Sequence, residues 1–309
     1  MTGISIGVVR RLNEADVATI RSLAEAAERT DGVAPLPEQV LLHLEHPGET
    51  DAWHFVARRL ASADQASELI GYAVLDKSNP EEGPTAEVVV APDSRRQGVG
   101  GALLDALRMK VRRGDKPVRV WAHGALPAAA ALAAKRGLEP VRELWVMARP
   151  LEEVPPPALP DGIRVAAFRP GVDDEAWVGV NARAFAHHPE QGSMTVEDLR
   201  MRMAQPWFDP EGFFLAWRGT KLAGFHWTKV HDHSAYSNGP VGEVYVLGLD
   251  PDEQGSGLGR TLTQVGLRHL HDRGLKEVIL YVEADNAPAI AVYTKLGFTR
   301  RSADIMYQL

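Results

Sequence analysis

The sequence contains no cysteine, which excludes disulfide bridges, thiolate metal sites and a cysteine nucleophile. It has no apolar run of the roughly 18 residues that a membrane-spanning helix needs. Its start, MTGISIGVVRRLNEADV, lacks the basic residues, apolar core and small-residue cleavage site of a signal peptide. Basic residues are outnumbered 34 to 41, and no basic stripe stands out. These absences predict a cytoplasmic protein that binds neither membranes nor nucleic acid.

The chain is 309 residues long, about twice the length of a typical domain. Its clearest break in composition is PLEEVPPPALPDG, from Pro150 to Gly162, where five prolines predict a stiff and extended connector. We therefore predict an N-terminal domain over residues 1–150, a proline-rich linker over 151–161 and a C-terminal domain over 162–309.

The two halves repeat one order of elements, which indicates duplication. Each is predicted to open with an amphipathic helix, as at Asp16–Arg29. The strand-like runs that follow are Trp53–Arg58, Leu69–Leu75, Gly212–Trp217 and Leu222–Val230. An apolar strand then leads into a glycine-rich turn and a helix, at Ala86–Leu107 and at Glu243–Leu267. A further strand precedes a small-residue helix that ends at Gly137 or Gly297. This order predicts two copies of one α/β fold with a mixed sheet.

The glycine turns read RRQGVG from Arg95 to Gly100 and QGSGLG from Gln254 to Gly259. Glycines let successive backbone N–H groups converge on an anion, and the helix start adds further donors. Neither turn has the Gly-Lys-Ser/Thr of a P-loop or the G-x-G-x-x-G of a Rossmann fold. The pattern Q/R-x-x-G-x-G is similar to that of the GNAT (GCN5-related N-acetyltransferase) superfamily, where it holds the CoA pyrophosphate. The resemblance implies two GNAT domains in tandem, with acetyl-CoA as co-substrate and no metal.

The same resemblance points to a difference between the copies. In GNAT enzymes an Asn after the penultimate strand and a Tyr on the next helix flank the thioester. The C-terminal half has Asn286 and Tyr293 at these positions, whereas the aligned N-terminal residues are Leu126 and Ala133. Leucine and alanine side chains cannot donate a proton. We therefore predict that the C-terminal domain is catalytic, with Tyr293 protonating the leaving thiolate, and that the N-terminal domain binds acetyl-CoA without chemistry. Asn286 also suits a helix N-cap.

Glu243 is the predicted base, acting on the acceptor amine through water. Strict alternation along its strand predicts that Glu243, Tyr245 and Leu247 share one face of the sheet. A backbone N–H around Leu247–Leu249 is expected to polarise the thioester carbonyl. A solvated carboxylate at Glu243 and a packing tyrosine at Tyr293 are the structural alternatives.

The predicted contacts with acetyl-CoA follow the GNAT pattern. In the N-terminal copy they are Val88, Val89, Val90, Arg96, Gln97, Gly98, Val99, Gly100 and Gly101. In the C-terminal copy they are Leu247, Gly248, Leu249, Gln254, Gly255, Ser256, Gly257, Leu258, Gly259, Arg260, Asn286, Ala287, Pro288, Ala289, Ile290 and Ala291. Ser256 stands where such motifs often have a basic residue, whereas Arg95 and Arg96 keep that charge in the first copy. We therefore predict tighter CoA binding by the first domain.

Several stretches along nearly the whole chain resemble the mycothiol synthase family. They include DGVAPLPEQVL (Asp31–Leu41), WAHGALPAA (Trp121–Ala129), FAHHPEQG (Phe185–Gly192), WFDPEG (Trp207–Gly212), GFHWTKVH (Gly224–His231) and GEVYVLGLDP (Gly242–Pro251). That family uses acetyl-CoA to acetylate the cysteinyl amine of desacetylmycothiol, the last step of mycothiol biosynthesis. The resemblance implies acceptor contacts at Glu38, Glu190, Lys229, Glu243 and Tyr281.

Two other functions remain open from the residues alone. One is acetylation of another small amine, because the turn and Tyr293 do not define the acceptor. The other is a non-catalytic CoA-binding module, which the set of Asn286, Tyr293 and Glu243 disfavours. Histidines at 187, 188, 231 and 233 lie in polar, loop-like surroundings, so they do not predict a metal site. We expect a monomer.

Overall fold

The structure is a computed structural model that describes residues 3–45, 51–60, 67–79, 83–111, 115–152, 154–186, 189–232 and 239–309; at 45, 189 and 190 it describes the backbone alone. The chain forms two compact units. Unit 1 consists of Met1–Leu144 and Ser302–Leu309, and unit 2 of Trp145–Arg301.

The first half of the chain contains β1 (Ile4–Val9), α1 (Glu14–Asp31), α2 (Glu38–Glu45), β2 (Ala52–Arg59), β3 (Glu68–Asp76), β4 (Thr85–Val90), α3 (Val99–Lys110), β5 (Arg119–Ala122), α4 (Pro127–Arg136) and β6 (Glu139–Pro150). The second half contains β7 (Ile163–Ala167), α5 (Asp174–Ala184), α6 (Pro189–Gly192), α7 (Val196–Met203), β8 (Phe213–Arg218), β9 (Lys221–His231), β10 (Val241–Leu249), α8 (Leu258–Asp272), β11 (Glu277–Glu283), α9 (Ala287–Lys295) and β12 (Thr299–Gln308). Short 3-10 turns connect several of these elements.

In unit 1 the strand order is β1-β2-β3-β4-β5-β12. Strands β4 and β5 are parallel, and the other neighbouring pairs are antiparallel. Alternation along β2 sends Phe55 to one face and Val56 to the other. Phe55 packs in a cluster with Leu103 of α3, whereas Val56 packs in a cluster with Leu23 of α1. Helices therefore cover both faces of the sheet.

In unit 2 the strand order is β6-β11-β10-β9-β8-β7, and β10 and β11 are parallel. Helix α8 covers one face, where Leu267 packs in a cluster with Leu280 of β11. Helices α5 and α7 cover the other face, where Trp177 and Leu199 pack with Trp227 of β9. The predicted fold class, α/β with a mixed sheet, is confirmed in both units.

Helix boundaries follow capping residues that are visible in the sequence. The predicted helix at Asp16–Arg29 is α1, which the Asn13 side chain caps by accepting from the Asp16 N–H at 2.8 Å. Helix α4 ends at Gly137, which has the left-handed conformation that terminates helices, as predicted. Among the helices of the described residues, none combines the length and the apolar character needed to cross a membrane.

Two features of the architecture differ from the sequence-based expectation. Each half opens with a strand, β1 or β7, before its first helix, so the prediction of an opening helix is wrong. Strand β1 has three half-buried residues followed by three exposed ones, and this pattern lacks the alternation by which strands are recognised.

The compact units also differ from the predicted halves at two segments. Residues 145–150 of β6 belong to unit 2, and residues 302–309 belong to unit 1, where β12 pairs with β5. The proline-rich stretch at residues 154–160 forms neither helix nor strand. The predicted boundaries at residues 150 and 162 rest on that composition and stay a prediction.

Candidate active site

Each unit carries a glycine turn between a strand and a helix. The backbone φ is positive at Arg96 (63°) and Gly98 (90°) in unit 1, and at Gly255 (79°) and Gly257 (83°) in unit 2. Gly98 and Gly257 are the N-caps of α3 and α8 and supply no side-chain acceptor to these helix starts. A Cβ atom built at Gly98, Gly255 or Gly257 would have no described atom within 4 Å. Both turns therefore leave open space beside their backbone at a helix start, as a phosphate site requires.

The two central parallel strands of each unit diverge next to the turn. Strands β4 and β5 pair at residues 85–86, and β10 and β11 pair at residues 242–244. Within the described residues the register of both pairs extends no further toward the glycine turn. An opening between strands exposes main-chain N–H groups that can bind a substrate carbonyl. This geometry fits the role predicted for residues 247–249.

A β-bulge in β10 changes the faces on which its residues lie. The register with β9 shifts at Tyr245, which packs on the α5 side of the sheet against Trp227. Leu247 packs on the other side, in the cluster that contains Leu262 of α8. The prediction that Leu247 shares a face with Glu243 and Tyr245 is therefore wrong, because one extra residue reverses the alternation.

Unit 1 contains a cavity of about 510 Å³ beside its glycine turn. Of the residues predicted to bind CoA in this half, those that line it are Val88, Val89, Val90, Arg96, Gly98, Val99 and Gly100. Gln97 and Gly101 do not line it: the Gln97 amide donates to the Asp93 carbonyl at 3.1 Å, and Gly101 lies against the Arg136 side chain. Leu126 and Ala133 are also part of the wall, so the cavity joins the glycine turn to α4.

The two arginines of the unit 1 turn have different environments. Arg95 donates from Nη1 and Nη2 to the two carboxylate oxygens of Asp31, each at 2.7 Å. These hydrogen bonds raise the pKa of Arg95, so its charge is compensated by Asp31. Arg96 is exposed at the cavity edge and stands where unit 2 has Gly255. Arg96 is thus the arginine better placed to meet an anion.

His123, on the wall of the unit 1 cavity, lies between two carboxylates. Its Nδ1 is 2.9 Å from Asp304 Oδ2, and its Nε2 is 3.0 Å from Glu87 Oε2. The Gly124 N–H donates to the other Asp304 oxygen at 2.7 Å. Burial alone would lower the pKa of His123, but the charges and hydrogen bonds of Glu87 and Asp304 outweigh it and raise the pKa to about 10. Both ring nitrogens therefore donate, and each N–H group of the imidazolium has a carboxylate acceptor.

The helices α4 and α9 start differently. Asn286 is the N-cap of α9, and its side-chain oxygen accepts from the Ala289 N–H at 3.1 Å. The cap that the sequence suggested for Asn286 is thus confirmed. Leu126 is the N-cap of α4 and makes no side-chain cap hydrogen bond. Ala133, at the position of Tyr293, is buried. Unit 1 therefore has the helix that corresponds to α9 but not the polar side chains of Asn286 and Tyr293.

Tyr293 lies on α9, half-buried, with its ring 5.8 Å from that of Phe298 in an edge-to-face contact. Burial raises the pKa of Tyr293 to about 12. The phenol therefore stays protonated throughout the neutral range, as a hydrogen donor to a leaving group must.

Glu243 belongs to a cluster of polar side chains on the α5 side of the unit 2 sheet. Lys229 of β9 lies opposite Glu243 in the strand register, and both are buried. The Lys229 Nζ is 4.2 Å from the centre of the Trp207 ring and 5.1 Å from that of Tyr245. His231 Nε2 is 2.5 Å from Glu243 Oε2. The structure thus brings together Glu243 and Lys229, two of the predicted acceptor contacts.

His231 is a neighbour of Glu243 that sequence reasoning missed. A signal for it was present: His231 directly follows the predicted strand Leu222–Val230 and is two residues from Lys229, so one more residue of strand puts both side chains on one face. The position of His231 next to Glu243 depends on the pairing of β9 with β10, which residue spacing alone does not give.

The other predicted residues are distributed over both units. Glu38 is half-buried at the start of α2 in unit 1, and Tyr281 is 43% exposed on β11 in unit 2. The side chain of Glu190 lies outside the described residues. In the unit 2 turn, the Ser256 hydroxyl donates to the Glu253 carbonyl at 2.6 Å and accepts from the Leu258 N–H at 3.3 Å. Residues 287–291 begin α9, directly after the Asn286 cap.

Within the part of the chain that the structure describes, no group of three or more His, Asp or Glu side chains is arranged to hold a metal ion. Histidines 187, 188 and 233 lie outside that part.

Comparison with protein families finds the same fold in both halves. The model described as "Acetyltransferase (GNAT) family" matches residues 182–298, and the model described as "Acetyltransferase (GNAT) domain" matches residues 51–137. Each match includes one glycine turn. The predicted tandem of two GNAT domains is confirmed.

Solved structures agree on this architecture. A tandem GNAT protein from the clavulanic acid biosynthesis pathway matches with a TM-score of 0.71 at 20% identity, over 99% of this chain and 98% of the other. A GCN5-related N-acetyltransferase from Sphaerobacter thermophilus matches with a TM-score of 0.63 at 24% identity, over 98% and 95% of the two chains. At these identities the likeness concerns the fold alone.

Curated relatives are much more similar in sequence. The mycothiol acetyltransferase of Catenulispora acidiphila is 85% identical over 316 aligned residues, which cover 100% of both chains. The mycothiol acetyltransferase of Thermobispora bispora is 50% identical over 306 residues, which cover 99% of this chain and 100% of the relative. The resemblance inferred from short sequence stretches is therefore confirmed over the full length, and the chain belongs to the mycothiol acetyltransferase family of tandem GNAT acyltransferases.

Proposed function

We propose that the protein transfers the acetyl group of acetyl-CoA to the cysteinyl amine of desacetylmycothiol, giving mycothiol and CoA as the last step of mycothiol biosynthesis. The acceptor is suggested by the names of the full-length relatives. The observation that supports catalysis most directly is the pair of Asn286 and Tyr293 on α9, beside the diverging strands β10 and β11.

The donor site of this reaction is assigned to unit 2. The turn from Gln254 to Gly259 and the start of α8 would bind the CoA pyrophosphate through backbone N–H groups, since no cation of the turn precedes Arg260. The opening between β10 and β11 would hold the pantetheine arm, with N–H groups of residues 247–249 directed at the thioester carbonyl. Residues 286–291 at the start of α9 would flank the thioester end.

Transfer requires a neutral amine, a polarised carbonyl and a proton for the departing thiolate. An α-amine has a pKa of about 8, so much of the acceptor arrives as ammonium at neutral pH. Glu243 accepts that proton through a water molecule, and the amine then attacks the thioester carbon directly. Tyr293, which burial keeps protonated, donates to the sulfur as the carbon–sulfur bond breaks. The proton that the nitrogen loses on becoming an amide then restores the phenol.

The acceptor would lie against the polar cluster around Glu243. Glu243 is 6% exposed and Lys229 is 9% exposed, so both are held in place by packing and can bind a ligand without a large loss of side-chain freedom. A carboxylate accepts from ammonium and hydroxyl groups, and Lys229 donates to the oxygens of a sugar–inositol unit. Glu38, Glu190 and Tyr281 are assigned to the acceptor on the family resemblance.

Unit 1 is proposed to bind acetyl-CoA without turning it over. Its cavity connects the glycine turn to Leu126 and Ala133, neither of which can protonate a thiolate. The proposal also includes a monomeric protein in the cytoplasm.

The function is tested by mixing the protein with acetyl-CoA and desacetylmycothiol and measuring CoA formation by chromatography, because the acceptor carries a thiol of its own. We expect stoichiometric CoA and acetylated acceptor. A polyamine, an aminoglycoside and a cysteinyl-glucosamine without inositol serve as comparison acceptors. Faster acetylation of any of these, or no CoA formation with desacetylmycothiol, would refute the assignment.

A further inference from the structure

His231 stands between a buried carboxylate and solvent. Its side chain is 31% exposed, whereas that of Glu243 is 7% exposed. The 2.5 Å separation of His231 Nε2 and Glu243 Oε2 is a short hydrogen bond of the kind formed by charged partners. An ionised carboxylate only accepts, so the ring nitrogen that faces it carries the hydrogen.

Among the described residues this contact occupies Oε2 of Glu243, and the second carboxylate oxygen, Oε1, is the one assigned to the substrate proton. Rotation of the Glu243 side chain would misplace that oxygen, and a fixed hydrogen bond to Oε2 prevents the rotation.

We propose that His231 is a positioning residue that orients Glu243 as the base. The proposal rests on the function assigned above and adds a residue to its proton transfer. In the working state the His231 Nε2–H donates to Oε2 while Oε1 takes a proton from the intervening water molecule. That water takes the amine proton in turn, so the water is regenerated and the carboxylate becomes a carboxyl group.

Other charged groups surround this pair and are part of its electrostatics. Lys229 lies opposite Glu243 in the strand register, and Tyr245 receives a hydrogen bond from Arg202 Nε of α7 at 3.2 Å. Asp232 follows His231 at the exposed end of β9. Lys229 lies against the Trp207 ring, and Arg202 donates to Tyr245.

The test compares His231→Gln with His231→Leu in the full chain. Glutamine keeps an N–H donor but cannot acquire charge, whereas leucine removes the donor. We expect kcat of His231→Leu to fall roughly ten- to hundredfold, the usual effect of losing a hydrogen bond to a charged group. The KM for acetyl-CoA should not change, because the CoA site involves other residues.

Rescue by the conservative variant separates positioning from a structural role. We expect His231→Gln, which can still donate to Glu243, to keep most of the wild-type kcat. His271→Gln, which alters a histidine–carboxylate pair at the exposed end of α8, is the matched control and should leave kcat unchanged. A kcat of His231→Gln as low as that of His231→Leu, or wild-type kcat in His231→Leu, would overturn the inference.

Failure of the inference can be distinguished from failure of the proposed function by Glu243→Gln. If that variant loses activity while both His231 variants behave as the wild type, Glu243 acts without His231 and only the inference fails. If Glu243→Gln retains full activity, the assignment of the base fails instead.

Discussion

In both units a strand leads into a turn with two positive φ angles and then into an uncapped helix start, yet the next helix differs. Helix α9 starts with Asn286 and carries Tyr293, while α4 starts with Leu126 and carries Ala133. Both units have the glycine turn that can bind phosphate. At the aligned helix positions, the polar side chains that can assist a leaving thiolate are found in unit 2 and not in unit 1. On the proposed assignment, binding and chemistry depend on separate elements of this fold.

The surroundings of the two sites differ as well. In unit 1 one titratable residue of the cavity wall, His123, is hydrogen-bonded to Glu87 and Asp304 through both ring nitrogens. In unit 2 Glu243 contacts His231 through one carboxylate oxygen, which leaves the other for a ligand. A cluster in which every hydrogen-bonding group has a partner stabilises a fold, whereas a cluster with an available carboxylate oxygen can accept a proton. We therefore assign a structural role to the first cluster and a chemical role to the second.

The largest expected effect follows from making α9 resemble α4. In the double variant Asn286→Leu/Tyr293→Ala we expect turnover to fall roughly thousandfold, within the range of general acid catalysis, because no side chain remains to protonate the thiolate. Acetyl-CoA binding, measured by calorimetry, should be retained because the glycine turns are intact. Tyr293→Phe alone should also slow turnover with little change in acetyl-CoA affinity.

The reciprocal change in unit 1 is the control for this comparison. Leu126→Asn/Ala133→Tyr, placed in the inactive double variant, should not restore turnover, because the described carboxylates near the cavity are already paired: Asp31 with Arg95, and Glu87 and Asp304 with His123. Folding of each variant is checked by its thermal transition. Full activity of the unit 2 double variant would contradict the assignment of chemistry to that unit.

The next largest effect concerns the stability that the cluster of His123, Glu87 and Asp304 gives to unit 1. His123→Leu would leave Glu87 and Asp304 close together without a counter-charge, which typically costs about 3–5 kcal/mol. In the wild type the pKa of His123 is raised to about 10 from an ordinary value of 6.5. Its stabilisation is therefore complete below pH 6.5 and is lost as the pH rises through about 10.

Urea unfolding of the full chain at several pH values measures this contribution. We expect the stability of His123→Leu relative to the wild type to be lowest below pH 6.5 and to approach that of the wild type above pH 10. His43→Leu, on α2, is the comparison for loss of a histidine elsewhere in unit 1. Equal stability of His123→Leu and the wild type at pH 7 would show that the cluster does not hold β12 on this sheet.

The third effect is on the base. Glu243→Gln should lower kcat roughly hundredfold near neutral pH, within the range for general base catalysis. The loss should be greater at low pH than at high pH, because a neutral amine needs no base. A pH–rate profile with saturating substrates measures it. An unchanged profile would show that another group accepts the proton.

Much of this comparison could be predicted from the sequence because it depends on local signals. The glycine turns, the cap at Asn286 and the terminator at Gly137 are set by residues within a few positions of one another. The contrast between Tyr293 and Ala133 needed only an alignment of the two halves. Local rules were sufficient for these features because each involves one element and its neighbours in the chain.

The remainder depends on contacts between residues far apart in sequence. Asp304 reaches His123 because β12 pairs with β5, and nothing in either segment encodes that pairing. The face of Leu247 depends on a bulge at Tyr245, which a strictly alternating pattern conceals. His231 likewise meets Glu243 through the register of β9 and β10. Long-range pairing and register, rather than residue type, limited the sequence-based description of the site.

The smallest expected effect concerns the strain in the unit 1 turn. Arg96 has a φ of 63°, in the left-handed region that costs a side-chain-bearing residue about 1–2 kcal/mol, and unit 2 has Gly255 there. Arg96→Gly should therefore stabilise the chain by about 0.5–1 kcal/mol, the relief of strain less the greater entropy of an unfolded glycine. The reverse change, Gly255→Arg, should destabilise it by a similar amount.

The same pair of variants tests why the arginine is present. If Arg96 attracts the CoA phosphates, Arg96→Gly should weaken acetyl-CoA binding in a Tyr293→Phe background, and the loss should diminish as salt screens the charge. The two binding sites are resolved by calorimetry, with Gly255→Arg as the matched gain of charge in unit 2. One outcome would contradict this role: Arg96→Gly could be more stable than its parent and still bind acetyl-CoA as tightly. The strained arginine would then serve neither stability nor CoA binding. The tighter binding predicted for unit 1 would have to come from other residues.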